Sequence, residues 1–241
     1  MAVAEPRGRG CPFREPCGLL GVRRGASYHR LMARILLVRH GESEWNALGR
    51  WQGQADSPLS DLGRLQAKVA SRALGQVDAI ASSDLQRAHV TAEIISGELG
   101  VGPVIVDPDL RERDAGEWSG LTRADIHRDW PGYLPDDPIR RDGSSDHQDK
   151  RPPGWETDEH LRDRALVALG RLAAVVGDGE AVAITHGGLV YAIEGHLGAG
   201  WERLPNLGGR WIELTDDRLR LGERVILVDP HDVALTTPDQ I

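Results

Sequence analysis

The sequence predicts an α/β fold: a three-layer sandwich in which a mostly parallel central sheet of about six strands carries helices on both faces. Three observations lead there. Short apolar or β-branched runs alternate along the chain with longer amphipathic segments, the order expected of strand–helix–strand units. Runs such as Ile35-Leu36-Leu37-Val38 are apolar at every position, not every second one, as strands covered on both faces must be. The runs then end abruptly in polar, chemistry-bearing residues, which suits the ligand crevice at the carboxyl edge of an open sheet.

Taken in order, strands read at Arg34–Arg39, Asp78–Ser82, Val104–Asp107, Ala181–Thr185, Arg210–Leu214 and Arg224–Val228, each bounded by Gly, Pro or Asp. Helices read at Asp61–Leu74, Leu85–Leu99, Thr122–Asp129, Thr157–Val176 and Leu189–Leu197. Ser60 is the expected N-cap of the first, whose apolar face reads Leu62, Leu65, Val69 and Ala73. The second presents Leu85, Ala88, Ala92, Ile95 and Leu99 on one face. Residues 131–154 are aperiodic and rich in Asp and Pro, and read as an irregular loop insertion that is either a lid or disordered.

Residues 1–31 stand apart. They hold six arginines against two glutamates, together with both cysteines, Cys11 and Cys17, and no apolar periodicity. They are expected to be a disordered or upstream extension, with Met32 as the natural start and residues 32–241 as one domain. A chain beginning at Met32 is then expected to keep its melting temperature and its kcat/KM. A drop of more than a few degrees would show that the leader packs on the domain.

Charge and composition exclude several classes. The chain of 241 residues carries a net charge of −8, which argues against general nucleic-acid binding. No apolar run approaches the roughly 20 residues of a membrane span. Two cysteines cannot build a disulfide framework or a four-cysteine zinc site. With no secretory signal legible, a cytoplasmic location is the expectation.

The chemistry begins where the first strand ends, at Arg39-His40-Gly41-Glu42-Ser43-Glu44-Trp45-Asn46. A neutral imidazole is a competent nucleophile toward phosphorus, a flanking guanidinium can hold phosphoryl oxygens in bidentate fashion, and glycine lets the backbone come close. Three further pieces follow predicted strands. Arg87 sits in the first turn of a helix, where free amides and the dipole attract phosphate. Glu112 lies in Leu110-Arg111-Glu112-Arg113-Asp114, and His186 in Thr185-His186-Gly187-Gly188. Two arginines, two histidines and a carboxylate at one sheet edge are what phosphoryl transfer needs: a nucleophile, clamps for three oxygens and a proton donor.

These motifs, with Asn46, the stretch from Gln52-Gly53 through Pro58-Leu59-Ser60 to Gly63, and Ser82-Ser83-Asp84-Leu85-Gln86-Arg87-Ala88, resemble those of the histidine phosphatase superfamily, the phosphoglycerate mutase-like group. The resemblance covers Ile35 to about Val228. It implies that His40 takes the phosphoryl group as a phosphohistidine, and that Arg39, Arg87 and His186 surround it. It implies that Glu112 protonates the leaving alcohol and then activates water, and that Asn46 adds a phosphate contact. Ser43 and Gln52 are weaker candidates at the pocket rim. No metal and no cofactor is implied. The expected partners are a small-molecule phosphate ester and, as a compatible assembly, a second copy in a homodimer, with neither nucleic acid nor membrane. Arg113, Asp114 and Glu117 flank Glu112 and could each stand in for it. His89, His127, His147, His160, His196 and His231 read as surface or structural residues, and Trp45, Trp51 and Trp118 as packing more than pocket wall.

The family holds both mutases and phosphatases. Mutases typically carry Glu-Arg-His-Tyr-Gly at the acid and Thr-His-Gly-Asn at the second histidine. Here the chain has Glu112-Arg113-Asp114-Ala115-Gly116 and Thr185-His186-Gly187-Gly188, and the basic pair Arg140-Arg141 falls in an unaligned loop. These departures resemble the phosphatase branch, in particular enzymes acting on phosphorylated sugars and glycerates. A cofactor-dependent phosphoglycerate mutase is the alternative, and a non-catalytic phosphate-binding module is the remote one.

Overall fold

The computed structural model describes residues 32–134, 150–215 and 218–237. The leader, His147, Arg140-Arg141 and most of the 131–154 insertion therefore lie outside the described residues.

Six strands form one sheet: β1 (Met32–Arg39), β2 (Ala79–Ser82), β3 (Ile105–Val106), β4 (Glu180–Thr185), β5 (Gly208–Thr215) and β6 (Arg218–Ile226). Their spatial order is β3-β2-β4-β1-β5-β6. The β3-β2-β4-β1 block is parallel, while β5 pairs antiparallel to β1, and β6 antiparallel to β5. The helices are α1 (Glu44–Ala47), α2 (Asp61–Ala70), α3 (Gln86–Leu99), α4 (Arg123–Asp129), α5 (Asp158–Val176) and α6 (Gly187–His196).

Successive strand side chains point to opposite faces, and the two cores follow that alternation. Ile35, Leu37, Ala79, Ala81, Ala181 and Ala183 join the core beneath α5 and α6. Leu36, Val38, Ile80, Val182 and Ile184 join the core beneath α2 and α3. This is why those strands had to be apolar at every position. A smaller aromatic cluster of Trp51, Trp118, Ile126 and Leu134 stands beyond the sheet edge.

Two expectations need correction. The helix from Asp61 ends at Ala70 and tightens into a 3-10 turn over Ser71–Ala73. Its buried face keeps only part of the expected stripe, Val69 in the core and Leu62 packed partly buried against it. Leu65 is 49% exposed and Ala73 is exposed, while Gly63, Gln66, Ala67 and Ala70 are buried with Val69. The reason is a close approach of two backbones. A Cβ on Gly63 would overlap the Glu42 carbonyl, so the face that meets the loop after β1 must be small. Gln66 adds polar contacts there, its Oε1 accepting from the Glu42 amide at 2.9 Å and its Nε2 donating to the Ala234 carbonyl at 2.8 Å. The second concerns the last strand, expected at Arg224–Val228. β6 instead runs over Arg218–Ile226, because it pairs antiparallel with β5 from Thr215 opposite Arg218 to Gly208 opposite Ile226.

Candidate functional site

The carboxyl ends of β1, β2 and β4 frame a cavity of about 390 Å³ lined by Arg39, His40, Arg87 and Glu112 among others. Strand register brings the two histidines together. Arg39 pairs with Thr185 at the end of the β1–β4 ladder, and the His40 amide continues it by donating to the Thr185 carbonyl at 3.0 Å. One residue further on, the His40 and His186 rings meet edge to face, 5.1 Å between centroids. His186 is also the residue preceding α6, so it stands at that helix's N-terminus.

His40 is 2% exposed. Its Nδ1–H donates to the Gly41 carbonyl at 2.6 Å, since a carbonyl can only accept, and this leaves the lone pair on Nε2. Burial holds the His40 imidazole well below its ordinary range, and the Arg87 and Arg39 guanidiniums push the same way. His186 is lowered for the same leading reason, burial, followed by Arg87 and His40. Neither ring nitrogen of His186 has a hydrogen-bond partner among the described residues. Buried polar groups are normally satisfied, so an unpartnered imidazole beside two cations suits an anionic ligand.

The arginines are fixed by backbone carbonyls. Arg39 Nη1 donates to Leu204 at 3.0 Å. Arg87 donates from Nη1 to Ala55 at 2.7 Å and from Nη2 to Gly53 at 2.8 Å. Burial pushes Arg87 down to about 10, which still leaves it charged at neutral pH. Carbonyls orient these guanidiniums without neutralising them.

Of Glu112, Asp114 and Glu117, Glu112 alone lines the cavity; Asp114 and Glu117 are exposed. Its Oε1 accepts from the Arg113 amide at 2.7 Å and its Oε2 from the Gly188 amide at 3.1 Å. A Cβ on Gly188 would overlap Glu112 Oε1, so glycine after His186-Gly187 is a packing requirement of this carboxylate.

Asn46 and Gln52 also line the cavity, whereas Ser43 does not. The Ser43 hydroxyl caps α1 and donates to Gln52 Oε1 at 2.8 Å, so it supports the rim from behind. Asn46 Oδ1 accepts from the Ser43 amide at 3.3 Å and from Asn206 Nδ2 at 3.4 Å. Asn206 was not singled out from the sequence; its Nδ2 also donates to the His40 carbonyl at 2.7 Å. Arg50, Arg123, Trp155, Tyr191 and Trp201 line the cavity as well, and each is a lone residue with no motif around it to mark it. Trp51 serves both as pocket wall and as aromatic packing, while Trp118 is wholly buried. His89, His127, His160, His196 and His231 do not line the cavity, and neither does His186, which is wholly buried against His40.

The buried histidines predict an acid-sensitive fold. Between the lowered pKa values and the ordinary 6.5, the unfolded chain binds protons that the native state refuses. Stability is therefore full above about pH 6.5 and falls as pH drops through that window. Urea midpoints at pH 7.5 and 5.5 should show the fall, and His186→Ala should reduce it. A wild-type midpoint that rises on acidification to pH 5.5 would contradict this.

A family model described as the histidine phosphatase superfamily (branch 1) matches residues 35–222. The chain is 36% identical over 196 residues to a glucosyl-3-phosphoglycerate phosphatase of Mycolicibacterium vanbaalenii, covering 76% of this chain and 84% of that protein. It is 37% identical over 164 residues to a metal-independent phosphoserine phosphatase of Arabidopsis thaliana, covering 66% of each. Among solved structures, a mycobacterial glucosyl-3-phosphoglycerate phosphatase in complex with VO3 superposes with a TM-score of 0.66 at 32% identity, over 79% of this chain and 97% of that one.

Proposed function

From the premise that the chain belongs to the histidine phosphatase superfamily and is a phosphoric monoester hydrolase, we propose that it cleaves small phosphorylated sugars or glycerates through a phosphohistidine on His40. The observation that carries this reading is the buried, neutral His40, its Nδ1 tied to Gly41, beside His186, Arg39 and Arg87, with Glu112 on the same cavity.

In the first step the Nε2 lone pair of His40 forms the N–P bond as the P–O bond to the alcohol breaks. Glu112, entering as the acid, delivers its proton to the leaving oxygen. Negative charge on the three equatorial oxygens of the transferring group is met by Arg39, Arg87 and His186. In the second step the Glu112 carboxylate takes a proton from water, and the water oxygen attacks phosphorus. The N–P bond breaks with its electron pair returning to Nε2, releasing inorganic phosphate and the starting enzyme.

Hydrolysis is favoured over phosphoglycerate mutation by Ala115 on the cavity wall, where the family's mutases carry a substrate-binding tyrosine. The test is a panel of phosphate esters ranked by kcat/KM for phosphate release, run beside an assay for transfer of the phosphoryl group between positions of phosphoglycerate. Release from several esters without positional transfer is expected. Transfer faster than release would establish a mutase, and no turnover even of p-nitrophenyl phosphate would establish a binding module.

A further inference from the structure

We propose that Arg164, paired with Glu156, is the positioning residue for the Glu112 carboxyl, and that catalysis depends on it although it touches no substrate. The proposal rests on Glu112 being the proton donor of the phosphatase reading.

The segment carrying Glu112 has little secondary structure of its own. Between β3 and α4 the described chain makes two short 3-10 turns, Pro108–Leu110 and Gly116–Trp118, and isolated bridges at Ala115 and Thr122, none of which includes Arg111 or Glu112. The carbonyls just before and at Glu112 thus have no ladder to join, and buried carbonyls need donors. One guanidinium supplies them. Arg164, on α5 and about one-tenth exposed, donates from Nη1 to the carbonyls of Asp109 at 2.8 Å and Arg111 at 2.6 Å. Its Nη2 donates to the Glu112 carbonyl at 2.9 Å. The carbonyl between them, that of Leu110, accepts from Thr185 Oγ1 at 2.8 Å. Four successive carbonyls are thereby held from α5 and β4.

The remaining donors of Arg164 go to Glu156: Nε to Oε1 at 2.8 Å and Nη2 to Oε2 at 2.7 Å. All five N–H donors of the guanidinium are used, which no other side chain can do. Glu156 reaches the other side of Glu112. Its Oε2 accepts from the Asp114 amide at 3.1 Å, its own amide donates to the Asp114 carbonyl at 3.0 Å, and its carbonyl accepts from Arg113 Nη1 at 2.7 Å. The pair is a clamp closed on residues 109–114, with Glu112 in the middle. The Arg113 amide is what holds Glu112 Oε1, so backbone placement passes directly to the reacting carboxyl. A displacement of about 1 Å at a reacting group can cost on the order of a hundredfold.

The test separates positioning from general stability. Arg164→Lys keeps the charge and loses the planar fork; Glu156→Gln keeps the shape and loses the ion pair. Each is assayed on glycerol 3-phosphate, a poor leaving group that needs the acid, and on p-nitrophenyl phosphate, which leaves unprotonated. Both rates come from the same preparation, so the fraction folded cancels in their ratio. That ratio is expected to fall roughly tenfold or more, part of the 10²–10⁴-fold that general acid catalysis supplies. In a Glu112→Gln background, Arg164→Lys should change the ratio no further, because the two act through one group. A ratio unchanged in both single variants, or one that falls equally in the Glu112→Gln background, would overturn the proposal. If Glu112→Gln itself leaves the ratio unchanged, it is the assignment of the acid that fails, and the positioning role falls with it.

Discussion

Replacing His40 by Ala is expected to abolish turnover and phosphoenzyme formation together. Under the proposed mechanism the imidazole makes the only covalent bond to phosphorus, and among the described residues no other histidine lines the cavity. His186 is the nearest substitute, but it sits at the start of α6 with its ring edge-on to His40, wholly buried and outside the cavity lining. Rapid quenching after mixing with labelled ester should trap an acid-labile, alkali-stable adduct on the wild type and none on His40→Ala. Retention of even one tenth of the wild-type kcat would remove His40 from the role of nucleophile. The low position of the His40 imidazole adds a second expectation. Because burial and two arginines keep it neutral, the rate should not follow an ordinary histidine titration near pH 6.5 on the acid side.

The second large effect is expected from Glu112→Gln, which keeps the shape of the side chain and removes its proton. General acid–base catalysis contributes roughly 10²–10⁴-fold, so an alkyl ester should lose about that much in kcat. p-Nitrophenyl phosphate should lose far less, since p-nitrophenol leaves without protonation. The substitution is also structurally mild at one oxygen and disturbing at the other. Glu112 accepts from the Arg113 and Gly188 amides, and a glutamine can meet one of them with its carbonyl but would face the other with its NH2. Measuring both esters on one sample distinguishes a lost proton from a shifted loop, and equal losses would point away from Glu112 as the donor.

The parts of this protein that can be read along the chain are those set by neighbours in sequence. Continuous apolar runs marked β1, β2 and β4 as strands of a sheet covered on both faces, and the structure fills both faces with alternate residues of those runs. Motifs at the strand ends placed His40, Arg87 and His186 near one another in expectation, because parallel strands deliver their carboxyl ends to one edge. The register of β1 against β4 then sets the contact between the two rings.

What only the folded chain decides is set by the approach of segments far apart in sequence. The α2 face facing the loop after β1 is small where a hydrophobicity pattern points to Leu65, because Gly63 meets a backbone carbonyl at close quarters. That Glu112 lines the cavity while Asp114 and Glu117 are exposed follows from how the loop turns. Its neighbours Gly188 and Arg164 lie 76 and 52 residues away in the chain. Arg164 carries no motif, since its function lies in five donors meeting carbonyls and a carboxylate from other elements. Periodicity reports which side of a helix is apolar; it holds no record of where a distant loop's unpaired carbonyls will come to rest.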